Sequence, residues 1–312
     1  MVRYNVLYRG PLSSCNYACG YCPFAKHAES RQELARDEAT LERFVAWAEA
    51  QTATPLGVLF TPWGEALIRP WYQGALRDLT QMDHVERAVI QTNLSCGVHW
   101  VGDCRLDRLA LWATFHPCEV GLDAFVAKVR RLFERGVRLS VGVVGLREHF
   151  PAIRSLRAAL PSEIYVWINA YKRQAKYYSE PETRELASLD PYFPTNNRHH
   201  RSLGKRCHAG ETSFTVDGEG VMRRCHFVGD PLGNIYTDDW RSRLHPRTCP
   251  NAVCSCHIGY VYLEPLRQDR IYGENILERI PLETWEAPPP TIEAAPDAQA
   301  ASMANCQEFI EN

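Results

Sequence analysis

Cys15, Cys19 and Cys22 stand in C-x3-C-x2-C spacing within Ser14-Cys15-Asn16-Tyr17-Ala18-Cys19-Gly20-Tyr21-Cys22-Pro23, with an aromatic residue just before the third cysteine. Three thiolates hold three irons of a four-iron, four-sulfide (4Fe-4S) cluster, and with no fourth cysteine nearby one iron stays open to a further ligand. Taken alone, the triplet also reads as packing cysteines, or its C-x2-C half as part of a zinc site. A second group, Cys207, Cys225, Cys249, Cys254 and Cys256, falls within fifty residues. Four of these five would complete another site, for iron-sulfur or for zinc, with His226 or His257 as alternative fourth ligands to zinc. Either metal would staple a segment too small for its own core.

The elements that must position these groups alternate along the first two thirds of the chain. Strand-like runs at 2–8, 56–60, 87–91, 109–115, 137–144 and 164–168 are separated by helical spacing at 37–51, 70–79, 124–134 and 150–160. Six such units imply a parallel sheet, either a partial barrel or a doubly wound open sheet. The cysteine triplet sits on the connection after the first strand, where barrels of this kind build active sites. Beyond it, Asn196-Asn197-Arg198-His199-His200-Arg201 reads as a solvated basic linker. Strands at 212–216 and 221–224 flank Asp217-Gly218-Glu219-Gly220, a hairpin turn signal that brings Cys207 and Cys225 toward its base. The expected division is 1–195 for the barrel, 196–285 for a cysteine-rich hairpin domain, and 286–312 for a disordered Pro/Ala tail with an incidental Cys306. There is no internal repeat.

Composition excludes some classes. Thirty-five basic against 37 acidic residues in 312 give a net charge of -2, which argues against a general nucleic-acid or anionic-membrane surface. No apolar run is long enough to span a bilayer, and the N-terminus leads straight into a strand rather than a signal-peptide core or a separate peptide-recognition module. A soluble, cytoplasmic protein is expected, in which the closely spaced cysteines among the twelve serve as metal ligands rather than disulfides.

The cysteine triplet resembles the signature of the radical S-adenosylmethionine (radical SAM) superfamily. The resemblance extends over about residues 3–260. Thr61-Pro62-Trp63-Gly64-Glu65 resembles the family's Gly-Gly-Glu segment, with Trp63 in place of the first glycine. Gln91-Thr92-Asn93 ends the third strand where relatives carry polar residues facing SAM, and His116 follows the fourth. Val141-Gly142-Val143-Val144-Gly145-Leu146-Arg147-Glu148 resembles the adenine-positioning G-x-I-x-G-x-x-E pattern, with valines replacing the first glycine and the isoleucine. Gly220 to Cys225 fits G-x4-C, which resembles the opening of Twitch and SPASM auxiliary-cluster domains.

What the resemblance implies is a partial (β/α)6 barrel with a small cysteine-rich β-hairpin domain. Cys15, Cys19 and Cys22 would bind the catalytic 4Fe-4S cluster, whose open iron chelates SAM and reduces it to a 5'-deoxyadenosyl radical. Tyr21, Gly64, Glu65, Gln91, Asn93, His116, Gly145 and Glu148 would contact SAM. Four of the later cysteines would hold a second 4Fe-4S cluster, with a flavodoxin or ferredoxin as reductant. The radical would abstract hydrogen from a peptide or protein during maturation, or from a small molecule being dehydrogenated or rearranged. A non-catalytic zinc-binding interaction protein is the reading from another class.

Overall fold

The computed structural model describes residues 2–24 and 27–283. The expected disordered tail and Cys306 lie outside them. Six strands, β1 (Tyr4–Arg9), β2 (Leu56–Phe60), β3 (Val85–Thr92), β4 (Leu109–Phe115), β5 (Arg138–Val144) and β6 (Val166–Asn169), pair in parallel and in chain order. The order never turns back, as it does at the switch point of a doubly wound sheet, and so it is the order of a partial barrel. Strands covered on both faces read as apolar runs rather than alternation, and Leu-Gly-Val-Leu-Phe of β2 is buried throughout.

Between the strands lie α1 (Arg31–Glu49), α2 (Pro70–Gln81), α3 (Leu122–Glu134) and α4 (Phe150–Ala159), followed by α5 (Glu180–Leu189) and α6 (Phe193–Asn196). The first helix begins at Arg31, well before the 37 expected from apolar spacing. Ser30 and Glu33 form a reciprocal capping box that satisfies two orphan N–H groups and carries the helix back to the cysteine loop. Leu41, Phe44, Leu76, Phe125, Val129 and Ile153 from the helices cover one sheet face, packed on Val6, Val58, Ala88 and Ile90.

The basic segment from 196 exposes Arg198, His199 and Arg201 as expected, but it is anchored at both ends. Asn196 is buried; its side chain accepts from the N–H of Ala170 and donates to the Tyr260 hydroxyl. His200–Arg201 (β7) then pairs with Val253–Cys254 (β13), which orders a stretch whose charges predicted only exposure. Arg206–Cys207 (β8) pairs with Arg247–Thr248 (β12). The hairpin of β9 (Ser213–Asp217) and β10 (Val221–Arg223) forms as the turn signal predicts, and β11 (Pro231–Asn234) adds to it. Because β9 also pairs in parallel along β1, the sheet grows to nine strands.

The other face of the sheet is filled by the chain's own C-terminal segment. Leu7, Leu59, Val89, Trp112 and Trp167 pack against Ile258, Tyr260, Tyr262, Leu263, Tyr272 and Leu277. Trp112 donates to the Leu277 carbonyl at 2.7 Å, and buried Glu278 pairs with Arg87 at 2.6 Å and Arg138 at 3.4 Å. Arg87 and Arg138 lie at the starts of β3 and β5, so this plug closes the N-terminal end of the barrel. The open end is the C-terminal one, where the cysteine loop lies.

Candidate active site

The cysteine loop leaves β1 and is pinned from several sides before the first thiol. Leu12 N–H donates to buried Asp37 on α1 at 3.1 Å, and Asp37 also accepts from Trp71 Nε1 at 2.7 Å and the Tyr72 hydroxyl at 3.1 Å, both on α2. Burial raises the Asp37 pKa above its ordinary value. Ser13 N–H and the Ser14 hydroxyl donate to Glu29, while Arg69 Nη2 donates to Ser14 Oγ at 3.2 Å. At the next residue the loop presses on Gly64. A Cβ there would stand 1.7 Å from the Ser14 carbonyl oxygen, so the glycine is required by the passage of the cysteine loop itself. Asp37, Glu29 and Arg69 were not singled out from sequence, and only the Ser30–Glu33 cap pointed toward this part of α1.

Cys15, Cys19 and Cys22 line one cavity of about 140 Å3 together with Trp63, Gly64 and Glu65 after β2, Gln91 and Asn93 at the end of β3, and His116 after β4. The fold thus brings seven of the expected positions around one space besides Cys15: Cys19, Cys22, Gly64, Glu65, Gln91, Asn93 and His116. A turn closed by Cys22 N–H on the Cys19 carbonyl, 3.1 Å, sets the last two thiols. Ala18 N–H is held by Glu119 at 2.9 Å.

Glu65 is buried, and its carboxyl accepts from Leu67 N–H at 3.0 Å, the Thr92 hydroxyl at 2.8 Å and Asn93 N–H. It therefore ties the β2 loop to the end of β3. Burial pushes its pKa up to about 7, against the lowering effect of these donors. Asn93 in turn donates to Asn16 Oδ1 at 3.1 Å, inside the cysteine loop. His116 Nδ1 lies 2.7 Å from the Tyr21 hydroxyl and 3.3 Å from Cys19 Sγ; burial pushes the imidazole down to about 4, which keeps it neutral.

Tyr21 and Glu148 face a neighbouring cavity of about 230 Å3, shared with Leu146, Tyr171, Arg173 and Tyr177. Gly145 is packed behind this wall, where a Cβ would meet the Tyr178 hydroxyl at 2.8 Å and Ile168 at 2.9 Å.

The donor chemistry at the triplet suits a cluster. Burial raises Cys15, and burial followed by the nearby Glu119 pushes Cys19 up to about 12, so these thiols become ligands only when a cationic metal centre compensates their charge. Among the described residues, no three His, Cys, Asp or Glu side chains close around a single metal ion.

In the second region the two short ladders arrange the cysteines. Cys207 ends β8 opposite Arg247, Cys249 follows β12, and Cys254 ends β13, while Cys225 lies two residues past the hairpin strand β10. Burial pushes Cys254 up to about 12, aided by Cys225, Cys249, Cys207 and Cys256 in that order; Cys225 and Cys207 are raised by burial, each with further contributions from within the set. Cys256 is exposed, and its contribution to Cys254 comes last of the four cysteines that act on it. His226 turns away to the Thr61 hydroxyl at 2.9 Å, and His257 is buried among the rings of Trp112, Tyr260 and Tyr272.

No known protein family and no curated protein matches this sequence. Among solved structures, histidine-tagged anSMEcpe with bound AdoMet aligns at TM-score 0.50 and 12% identity, over 99% of this chain and 93% of that one. BtrN in an open conformation aligns at TM-score 0.37 and 13% identity over 77% of this chain and 85% of that chain. BtrN in complex with AdoMet and 2-DOIA aligns at 0.38 and 15% over 77% and 87%. At such identities the likeness to anSMEcpe establishes the fold alone, a partial α/β barrel.

Proposed function

We propose that this chain is a radical SAM enzyme, carrying a 4Fe-4S cluster on Cys15, Cys19 and Cys22 and binding SAM across the two adjoining cavities. The observation that carries the reading is the convergence of the thiol triplet, the β2 loop and the ends of β3 and β4 on one space at the open end of the barrel. When bound, the cluster and SAM supply reductive cleavage of the sulfonium to methionine and a 5'-deoxyadenosyl radical. The protein's own part is geometric. Gly64 lets the cysteine loop seat, Glu65 and Asn93 brace that loop against the end of β3, and neutral His116 supports Tyr21. The aromatic lining of Tyr21, Tyr171 and Tyr177 suits a flat purine. The plug on the opposite end excludes water from below.

For the second site the ladders favour Cys207, Cys225, Cys249 and Cys254 as ligands of an auxiliary 4Fe-4S cluster, with Cys256 outside the set. For the substrate we favour a peptide or protein, because a groove of about 460 Å3 lies open along the hairpin and shares Trp63 with the thiol cavity. The reductant would be a flavodoxin or ferredoxin. No described helix is long and apolar enough to cross a membrane.

The test is anaerobic reconstitution followed by reduction with SAM present. The wild type should release 5'-deoxyadenosine and Cys19→Ala should not. Equal release by the two proteins, or a colourless wild type holding zinc, would overturn the assignment.

A further inference from the structure

Among the described residues, the groove beside the thiol cavity holds an arginine with no carboxylate at ion-pair distance. Its walls come from the end of β1, the loop after β2, the β9–β10 hairpin and the segment after Cys225. A volume of about 460 Å3 is in the range of small-ligand sites. Two of its arginines are already neutralised: Arg36 pairs with Glu219 at 2.6 Å and Arg223 with Asp217 at 2.8 Å. Arg9 is different. Its Nε donates to the Thr61 carbonyl at 2.7 Å and its guanidinium lies over the Trp63 ring at 4.0 Å, but among the described residues no carboxylate stands within ion-pair distance of it.

Two anchors fix the plane of this guanidinium and leave its outer N–H groups for a ligand. Arg9 is half-buried, and burial pushes its pKa down to about 10, so it stays charged at neutral pH. A part-buried, oriented guanidinium with no carboxylate partner among the described residues is an unmet electrostatic demand, and its planar fork matches a carboxylate better than any neutral group. Trp63 lines both this groove and the thiol cavity, and touches Phe24, another wall of that cavity, at 4.6 Å between ring centres. An anion on Arg9 would therefore hold the remainder of its molecule at the mouth of the radical site.

We propose that Arg9, oriented by Thr61 and Trp63, is the specificity-determining residue for a carboxylate carried by the substrate. This rests on the radical SAM reading for its chemistry but not for its binding test. The carboxylate can belong to a peptide or to a small acid, and the probes separate the two.

The fully reconstituted chain is titrated calorimetrically, with SAM present, against N-acetyl-Phe-Gly as free acid, its carboxamide, and hippurate. The wild type should prefer an acid over the carboxamide by about tenfold or more, as a charge-assisted pair implies. Arg9→Gln should erase the preference, Arg9→Lys should restore part of it, and Arg223→Gln, which removes a charge already paired, should leave it intact. Tighter binding of the peptide acid assigns the carboxylate to a peptide, and tighter binding of hippurate to a small acid; both support the proposal. It is overturned if the wild type does not discriminate acid from amide, if Arg9→Gln or Arg223→Gln contradicts this pattern, or if Arg9→Gln loses SAM affinity in parallel. Failure of the radical SAM reading registers separately, as absence of 5'-deoxyadenosine from the reduced wild type.

Discussion

Gly64→Ala probes how the cysteine loop is held. A Cβ at Gly64 would lie 1.7 Å from the Ser14 carbonyl oxygen and 2.4 Å from its carbon, both backbone atoms. Ordinary contact begins at 3.4 Å, so the loop would have to withdraw by about 1.7 Å (3.4 less 1.7). No side-chain rotation relieves this. The same carbonyl accepts from Glu65 N–H at 3.2 Å, and Cys15 follows it directly in the chain. Overpacking of this kind costs about 1–3 kcal/mol, and a misplacement of about 1 Å in reacting groups costs on the order of 10²-fold in rate. The variant should keep the second cluster and lose the first, so that iron falls from about eight to about four per chain. SAM cleavage should fall by about 100-fold or more. Gly74→Ala, in the middle of α2, is the matched control: its new Cβ meets nothing nearer than Arg77 Nη2 at 3.8 Å. It should gain about 0.5–1 kcal/mol in urea unfolding and keep all its iron. Iron analysis, visible absorbance and 5'-deoxyadenosine release read the outcome. A Gly64→Ala protein with full iron and wild-type cleavage would refute the argument that this contact seats the cysteine loop.

Three further outcomes follow from named contacts. Asp37→Asn turns a donor against Trp71 Nε1 and should cost about 1–3 kcal/mol in chemical denaturation; because burial raises this carboxyl above 3.8, its contribution to wild-type stability is fully present below 3.8 and lost as pH rises through the folded value, so the gap to Asp37→Asn should narrow with rising pH. Glu65→Gln places an amide N–H against one of the three donors that meet the carboxyl, and should lower stability by about 1–3 kcal/mol and weaken SAM binding, read by equilibrium dialysis; unchanged stability would mean that the brace between β2 and β3 carries little. Cys254→Ser should lose the second cluster while Cys256→Ser retains it, as measured by iron content and electron paramagnetic resonance of the reduced proteins; the reverse pattern would exchange their roles.

Much of the barrel was legible because its signals are local. Apolar runs at 56–60 and 109–115 coincide with β2 and β4, since strands of a parallel sheet are covered on both faces and need no alternation. The cysteine loop was legible for the same reason: spacing within one loop decides which side chains can share a ligand. Its supports were not. Asp37, Glu29 and Arg69 act on Leu12, Ser13 and Ser14 from later in the chain, and a lone Asp in a helix or Arg in a loop carries no period. The Ser30–Glu33 box did carry a signal, S-x-x-E ahead of an apolar run, and would have moved the start of α1 to Arg31.

The C-terminal region shows where reading by spacing stops. Five cysteines within fifty residues leave the ligand set open because spacing cannot report which of them face each other. Pairing does. Each of the ladders β8–β12 and β7–β13 is only two residues long on each strand, too short for a periodic pattern, yet together they put Cys207, Cys249 and Cys254 in one neighbourhood with Cys225. Cys256 lies two residues past β13, at the start of the helix His257–Tyr260, and that helix turns into the barrel to pack its tyrosine against the sheet. The chain must bury Tyr260 and Ile258 there, and that demand draws the backbone away from the ladder immediately after Cys254. In the four-cysteine set proposed above, the plug and the choice of cysteines are one event: Cys256, which begins the plug helix, is the residue left outside the set.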